Sequence, residues 1–251
     1  MKLKIIICLL LVFATSLHAR GQTRQVALEL VLAVDTSTSV DEAEFELQRT
    51  GLADAFAHPE LVAVIEAIGN LGIAVTLIEW AGTDQQEIVV GWSHLTDRSS
   101  SLAFSDKIRS ASRPLKGMTD IGSVLSFSIN QLENNTYRGN RLVIDVSGDG
   151  SSSVENSAIE RDRAIARGIT INGLVIFNEE YDLGELAEVD LVQYYSNQVI
   201  GGNGAFLITA KGFEDFRIAI LNKLLREIRG SATVFRRMPI KPDLQFAKSA
   251  P

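Results

Sequence analysis

Leu28-Glu29-Leu30-Val31-Leu32-Ala33-Val34, running directly into Asp35-Thr36-Ser37-Thr38-Ser39, is the stretch whose reading decides the fold of this 251-residue chain. The first seven residues are too few for an ordinary helix and are almost unbroken in apolar character, which predicts a buried strand. The five that follow carry only carboxylate and hydroxyl oxygens, so the strand ends abruptly in a polar loop.

Working outward, residues from about Asp41 to Ala57 place acidic side chains in a first turn and Phe45, Leu52 and Phe56 on one side, which predicts a helix broken at His58-Pro59. Leu61 to Ile68 reads as its continuation beyond the break. Ile73 to Trp80 and Glu87 to Trp92 are two further strands, and the short polar link Ala81-Gly82-Thr83-Asp84 suggests an antiparallel hairpin. Helices are expected near 99–110 and 119–133, the second with Ile121, Leu125 and Ile129 spaced by four. Arg141 to Ser147 is a strand closed by Gly148-Asp149-Gly150; a helix near 156–167, a strand at 169–177, a helix near 189–197, a strand at 205–209 and a helix from 213 to about 229 follow. Short apolar runs alternating with helical patterns predict an α/β fold, a doubly wound, mostly parallel six-stranded sheet with helices on both faces.

Composition narrows the function. Hydrophobic residues make up 46% and charged residues 22% of the chain, as in an ordinary globular protein, and 24 Lys and Arg against 31 Asp and Glu leave a net charge of −7. That balance lacks the basic footprint of a nucleic-acid or anionic-membrane binder. Lys2 and Lys4 precede an unbroken apolar run from Ile5 to Ala14, then Thr15-Ser16-Leu17-His18-Ala19, which is the layout of a secretory signal peptide over residues 1–19. The run is shorter than the ~20 apolar residues of a membrane span, so the protein is expected to be exported, periplasmic or extracellular, with no transmembrane span in the mature chain. Cleavage behind Ala19 moves the net charge to −9 and removes Cys8, the sole cysteine. Disulfides, thiolate catalysis and Cys-based metal sites are thereby excluded. Residues 26–230 form one expected domain, and 231–251 lose periodicity and read as a tail.

Three clusters of oxygen-bearing side chains fall at strand ends or helix starts: Asp35 to Ser39, Thr119 with Asp120, and Asp149 with Gly150. In an open parallel sheet, that edge is where ligands bind. Oxygen donors without imidazole or thiolate select Mg²⁺, with Mn²⁺ or Ca²⁺ as alternatives. The spacing Asp-x-Ser-x-Ser lets Asp35, Ser37 and Ser39 point to the same side of an extended loop and converge on one ion.

Asp35-Thr36-Ser37-Thr38-Ser39, Thr119 within Gly117-Met118-Thr119-Asp120-Ile121-Gly122, and Asp149-Gly150 behind an apolar strand, in this order, resemble the metal-ion-dependent adhesion site (MIDAS) of von Willebrand factor type A (VWA) domains. The likeness covers nearly all of the mature chain and is greatest to exported bacterial proteins with a stand-alone VWA-like domain of unassigned function, the DUF1194-like group. It implies that Ser37, Ser39 and Thr119 offer hydroxyl oxygens to the ion while Asp35 and Asp149 act directly or through water. It further implies one open position, filled by an Asp or Glu carboxylate of a protein partner, and hence binding rather than bond cleavage. Members commonly carry Thr or Ser before the final Asp-Gly; here Gly148 stands there, with Ser147 as the neighbouring hydroxyl. Asp145, inside an apolar strand, reads either as a carboxylate supporting the site or as a sheet-edge residue.

Other readings compete. A Mg²⁺-dependent phosphohydrolase or phosphotransferase would use Asp35 as nucleophile, but such enzymes need a carboxylate two residues on, where Ser37 stands, and Lys116 is the sole basic residue of the three loops. A VWA-like scaffold with a structural or vestigial metal site is the third. Alone, Asp35 to Ser39 would also suit a helix cap and turn. His58 and His94 are isolated, and Trp80 and Trp92 read as core or rim aromatics.

Overall fold

The computed structural model describes residues 23–113, 115–177 and 191–230; the expected signal segment 1–19 and tail 231–251 lie outside them. Its centre is β1 (Arg24–Asp35), buried from Val26 onward because strands pair with it on both edges and helices cover both faces. The remaining strands are β2 (Ile73–Trp80), β3 (Gln86–Leu95), β4 (Tyr137–Gly148), β5 (Ile169–Phe177) and β6 (Leu207–Lys211). They form one six-stranded sheet in the order β3-β2-β1-β4-β5-β6. Every pairing is parallel except β2 with β3, the expected hairpin. The fold predicted from the alternation of runs is the fold observed.

Strand order decides where a ligand could sit. The chain leaves β1 to build β2 and β3 on one side, then crosses over to build β4, β5 and β6 on the other. The carboxyl ends of β1 and β4 therefore open onto the crevice where the winding reverses, the usual ligand position in such sheets. Val34 pairs with Ser147, so Asp35 and Gly148 emerge side by side at that edge.

Helices α1 (Glu42–Ala57), α2 (Pro59–Ile68), α3 (Arg98–Ser110) and α6 (Gly212–Arg229) cover one face, over Leu28, Leu30, Leu32, Val143, Leu174 and Ile176. The other face, with Val31, Ala33, Ile144, Val146, Ile171 and Val175, is covered by α4 (Ile121–Glu133), α5 (Val154–Ile165) and a π-helical turn, Tyr195–Val199. Asp41 caps α1 in a capping box with Glu44. The break at His58-Pro59 starts a separate helix: His58 leaves helical geometry, its ring Nδ1 accepts from Glu60 N–H at 3.3 Å, and Pro59 occupies the first turn of α2. The expected helix near 189–197 is helical over 191–194 and widens into the π turn. The last strand begins two residues later than the apolar run, because Gly202 and Gly204, both at positive φ, make the preceding turn and Phe206 N–H is held by Asn172 Oδ1 at 3.1 Å.

Asp145 is neither a sheet-edge residue nor part of the polar loops. It lies within β4 between β1 and β5, faces α6, and ion-pairs with Lys223, whose ammonium also meets Glu227 Oε1 at 2.9 Å. Asn172 Nδ2 donates to the same Glu227 oxygen at 2.9 Å, and all four side chains are buried. Burial and the charge of Glu227 push Asp145 up to about 7, with Lys223 opposing. Burial depresses Lys223, yet the two carboxylates outweigh it and hold the ammonium above its ordinary value. Removing one partner strands buried charge, so Lys223→Met is expected to cost ~3–5 kcal/mol of stability in urea unfolding. A loss below ~1 kcal/mol would show that the network does not fasten α6 to the sheet.

Candidate cation site

At the end of β1 the Asp35 side chain turns into the protein and is fully buried. Its Oδ1 accepts from Ser37 N–H at 2.7 Å, a local turn that fixes the carboxylate against its own loop. Ser37 Oγ and Ser39 Oγ lie 3.0 Å apart, and Ser39 Oγ donates to Asp149 Oδ1 at 2.8 Å. Thr119 closes the group from the loop before α4: a Cβ at Gly150 would sit 3.2 Å from its Oγ1. The structure thus brings Asp35, Ser37, Ser39, Thr119 and Asp149 to one end of the sheet from three separate segments. Asp120 is not among them; it caps α4, accepting from Ser123 N–H at 3.1 Å and Thr83 Oγ1 at 2.7 Å.

The loop 36–41 is held from several directions. Thr36 N–H donates to Trp80 O at 2.8 Å, and Thr38 donates to Gly117 O through both N–H and Oγ1, at 2.8 and 2.7 Å. Arg113 is the principal fastening. Its Nη2 donates to the carbonyls of Thr36, Ser37 and Val40 at 3.0, 3.1 and 2.6 Å, and its Nη1 donates to that of Asp41 at 3.1 Å. The guanidinium lies 5.1 Å from the centre of the Phe45 ring, so a planar cation is sandwiched between an aromatic face and a fan of carbonyls. Sequence reading missed Arg113 because nothing in its neighbourhood marks it, and its partners lie more than seventy positions away.

Electrostatics set the cluster apart from an ordinary polar turn. Burial, and then the charge of Asp149, push Asp35 up to about 7. Asp35 Oδ2 is buried without a hydrogen-bond partner. Ser147, the candidate replacement for a hydroxyl at position 148, instead points its Oγ at Ala33 O, 3.5 Å away inside the sheet. A residue that sequence reading did not single out lies close by: Tyr195, first of the π turn, is fully buried. Burial and the charges of Asp35 and Asp149 hold its phenol well above the ordinary value, so it remains a proton donor. Its neighbour Tyr194 joins Ser152 and Ser157 in a second hydroxyl cluster, with O–O distances of 3.2 and 2.9 Å.

Chemically, the site offers two carboxylates and three aliphatic hydroxyls. Among the described residues no group of three or more His, Cys, Asp or Glu is arranged to hold a metal, so any ion here depends on the hydroxyls. His58 caps α2, and His94, on the outer strand β3, lies 3.0 Å through its Nδ1 from Arg24 Nη1.

Residues 25–232 match the profile of DUF1194, a family described as protein of unknown function. The chain belongs to this family. No curated protein matches it. Its fold is shared with VWA-domain structures. The pilus adhesin SpaC from Lactobacillus rhamnosus GG is 14% identical with a TM-score of 0.59 over 83% of this chain and 31% of the adhesin. Proximal thread matrix protein 1 from the mussel byssus, solved with a zinc-occupied MIDAS motif, is 16% identical with a TM-score of 0.54 over 82% and 46%. The vWF domain of the type V pili tip protein Mfa5 from Porphyromonas gingivalis is 13% identical with a TM-score of 0.54 over 86% and 99%. This DUF1194 chain therefore has the VWA-like fold, and it spans about a third of the adhesin and under half of the thread protein.

The fastening by Arg113 yields a test that needs no ligand. In Arg113→Ala, amide hydrogen exchange should rise at least about tenfold at residues 36–41, the effect of losing ~1.4 kcal/mol of local stability, while β5 remains protected. Lys at this position should restore part of the protection; unchanged exchange in the Ala variant would remove Arg113 as the clamp.

Proposed function

We propose that this DUF1194 protein is an exported VWA-like binding module. It holds a divalent cation, Mg²⁺ first and Mn²⁺ or Ca²⁺ as alternatives, at Asp35, Ser37, Ser39, Thr119 and Asp149, and through it engages an Asp or Glu carboxylate on a protein partner. The observation that carries this reading is the buried, unpartnered Asp35 Oδ2 beside a second carboxylate, within a ring of hydroxyls. A buried charge without a counter-charge is costly, and a hard cation is the partner that this donor set suits. Hydroxyl donors are neutral, so a bound ion keeps Lewis acidity for an incoming carboxylate.

Support also comes from the company the fold keeps. The three similar structures named above are pilus and thread proteins, one of them with zinc in its MIDAS motif. An enzymatic reading is less well supported, since Asp35 is wholly buried and a nucleophile must reach its substrate. Among the described residues no helix is long and apolar enough to cross a membrane.

Isothermal titration tests the site. Wild type should bind Mg²⁺ or Mn²⁺, and Asp149→Ala and Ser39→Ala should abolish binding. Asp120→Ala removes a helix cap and should cost ~1 kcal/mol of stability without changing affinity. Equal binding by wild type and Asp149→Ala would overturn the assignment. A rise in melting temperature with metal, without capture of a carboxylate-bearing partner in Mg²⁺ over EDTA, would reduce the site to a structural role.

A further inference from the structure

Two buried polar atoms without hydrogen-bond partners, the Tyr195 hydroxyl and Asp35 Oδ2, approach the same point in space. That point is the empty side-chain position of Gly148, the last residue of β4: a Cβ there would lie 2.8 Å from the Tyr195 hydroxyl, 2.9 Å from Asp35 Oδ2 and 3.2 Å from Asp35 Cβ. Any side chain at 148 would occupy the space that these two oxygens share. The ring of Tyr195 is placed by the sheet itself, because a Cβ at Gly173 on β5 would stand 3.3 Å from its Cδ1. Gly148 pairs with Val175 in the β4–β5 register and Gly173 with Val146, so two glycines on adjacent strands clear a lane along which the phenol reaches the end of β1.

The chain supplies this phenol by an unusual route. Tyr195 opens a five-residue π-helical turn, and such turns recur at functional sites because the extra residue re-aims a side chain that regular helical spacing would direct elsewhere. Tyr194 is fixed at the same time by Ser152 and Ser157, and its ring meets that of Tyr195 edge-on at 5.8 Å. The pair is anchored on one side and leaves a single hydroxyl pointing inward. A phenol with no partner, buried against two carboxylates, is a costly arrangement to leave idle.

We propose that Tyr195 is a positioning residue of the cation site, whose hydroxyl donates to a water that Asp35 Oδ2 also holds on a bound divalent ion. The inference rests on the cation reading above and extends it to a residue 46 positions beyond the last of the predicted ligands, Asp149, and on a segment that supplies no other member of the site. Mg²⁺ and Mn²⁺ keep several of their waters, so donors that orient those waters, rather than touch the ion, contribute to affinity.

The test is Tyr195→Phe in the full mature chain, read by two measurements whose expected signs differ. Phe keeps the ring and removes only the hydroxyl. The melting temperature in EDTA should match or exceed that of wild type, because an unpartnered buried oxygen has gone, while Mn²⁺ affinity by titration should fall about 10- to 100-fold, as for other groups that orient metal ligands. A role confined to packing would move the first measurement and not the second. Gly148→Ala should lower the melting temperature in wild type and by less in the Tyr195→Phe background, which reports the shared space without any metal. Wild-type Mn²⁺ affinity in Tyr195→Phe, alongside lost binding in Asp149→Ala, would overturn the role of Tyr195 and leave the cation site standing. Absence of Mn²⁺ binding by wild type would overturn the cation reading, and the role of Tyr195 with it.

Discussion

The burial of one carboxylate, that of Asp35, is the constraint around which this end of the molecule is arranged. β1 is paired on both edges, so its last residue cannot swing toward solvent without breaking the register that places Val34 against Ser147 and Asp35 against Trp80. The local turn satisfies one oxygen with Ser37 N–H and leaves the other unpartnered. Asp149, delivered by the neighbouring strand, adds like charge and raises the cost. The surrounding residues then follow from this. Ser37 and Ser39 link the two carboxylates, Gly148 keeps the space between strands open, and Arg113 directs its guanidinium at the carbonyls of the loop. A guanidinium aimed at Asp35 would have neutralised the site permanently.

The fold was legible because its signals are local. A strand buried on both faces reads as a nearly continuous apolar run, and β1, β2 and β5 do, interrupted by the buried Glu29, Thr76, Glu79, Thr170 and Asn172. Helix starts carry their caps in sequence, as Asp41 with Glu44 does. Most of the candidate site was legible for a related reason: Asp35, Ser37 and Ser39 are contiguous, and Thr119 and Asp149 each follow a recognisable element boundary. What stayed hidden acts over distance. Arg113 reaches back to Ser37 from a loop, Tyr195 arrives from a π turn that no periodicity announces, and Lys223 meets Asp145 from a helix 78 positions further along the chain. Asp145 shows the limit well. A charged residue within an apolar strand signals that a partner exists, but the two alternatives it offered were both wrong, because the partner is on a helix far along the chain.

Asp35 and Asp145 pose the same physical problem on opposite faces of one sheet. Each is a fully enclosed carboxylate on a central strand, and burial pushes each up to about 7. At Asp145 the chain answers with its own cation: Lys223 sits between two carboxylates, and Asn172 satisfies part of the remainder. The result needs nothing from outside, and it fastens α6 against β4. At Asp35 the chain provides hydroxyls, a second carboxylate and a phenol, all of which can donate to or bridge an ion while none carries positive charge. A structural solution was available to this sequence and is used on one face. Its omission on the other, at the strand ends where ligands enter such sheets, is the physical basis for reading the site as one completed by an external cation.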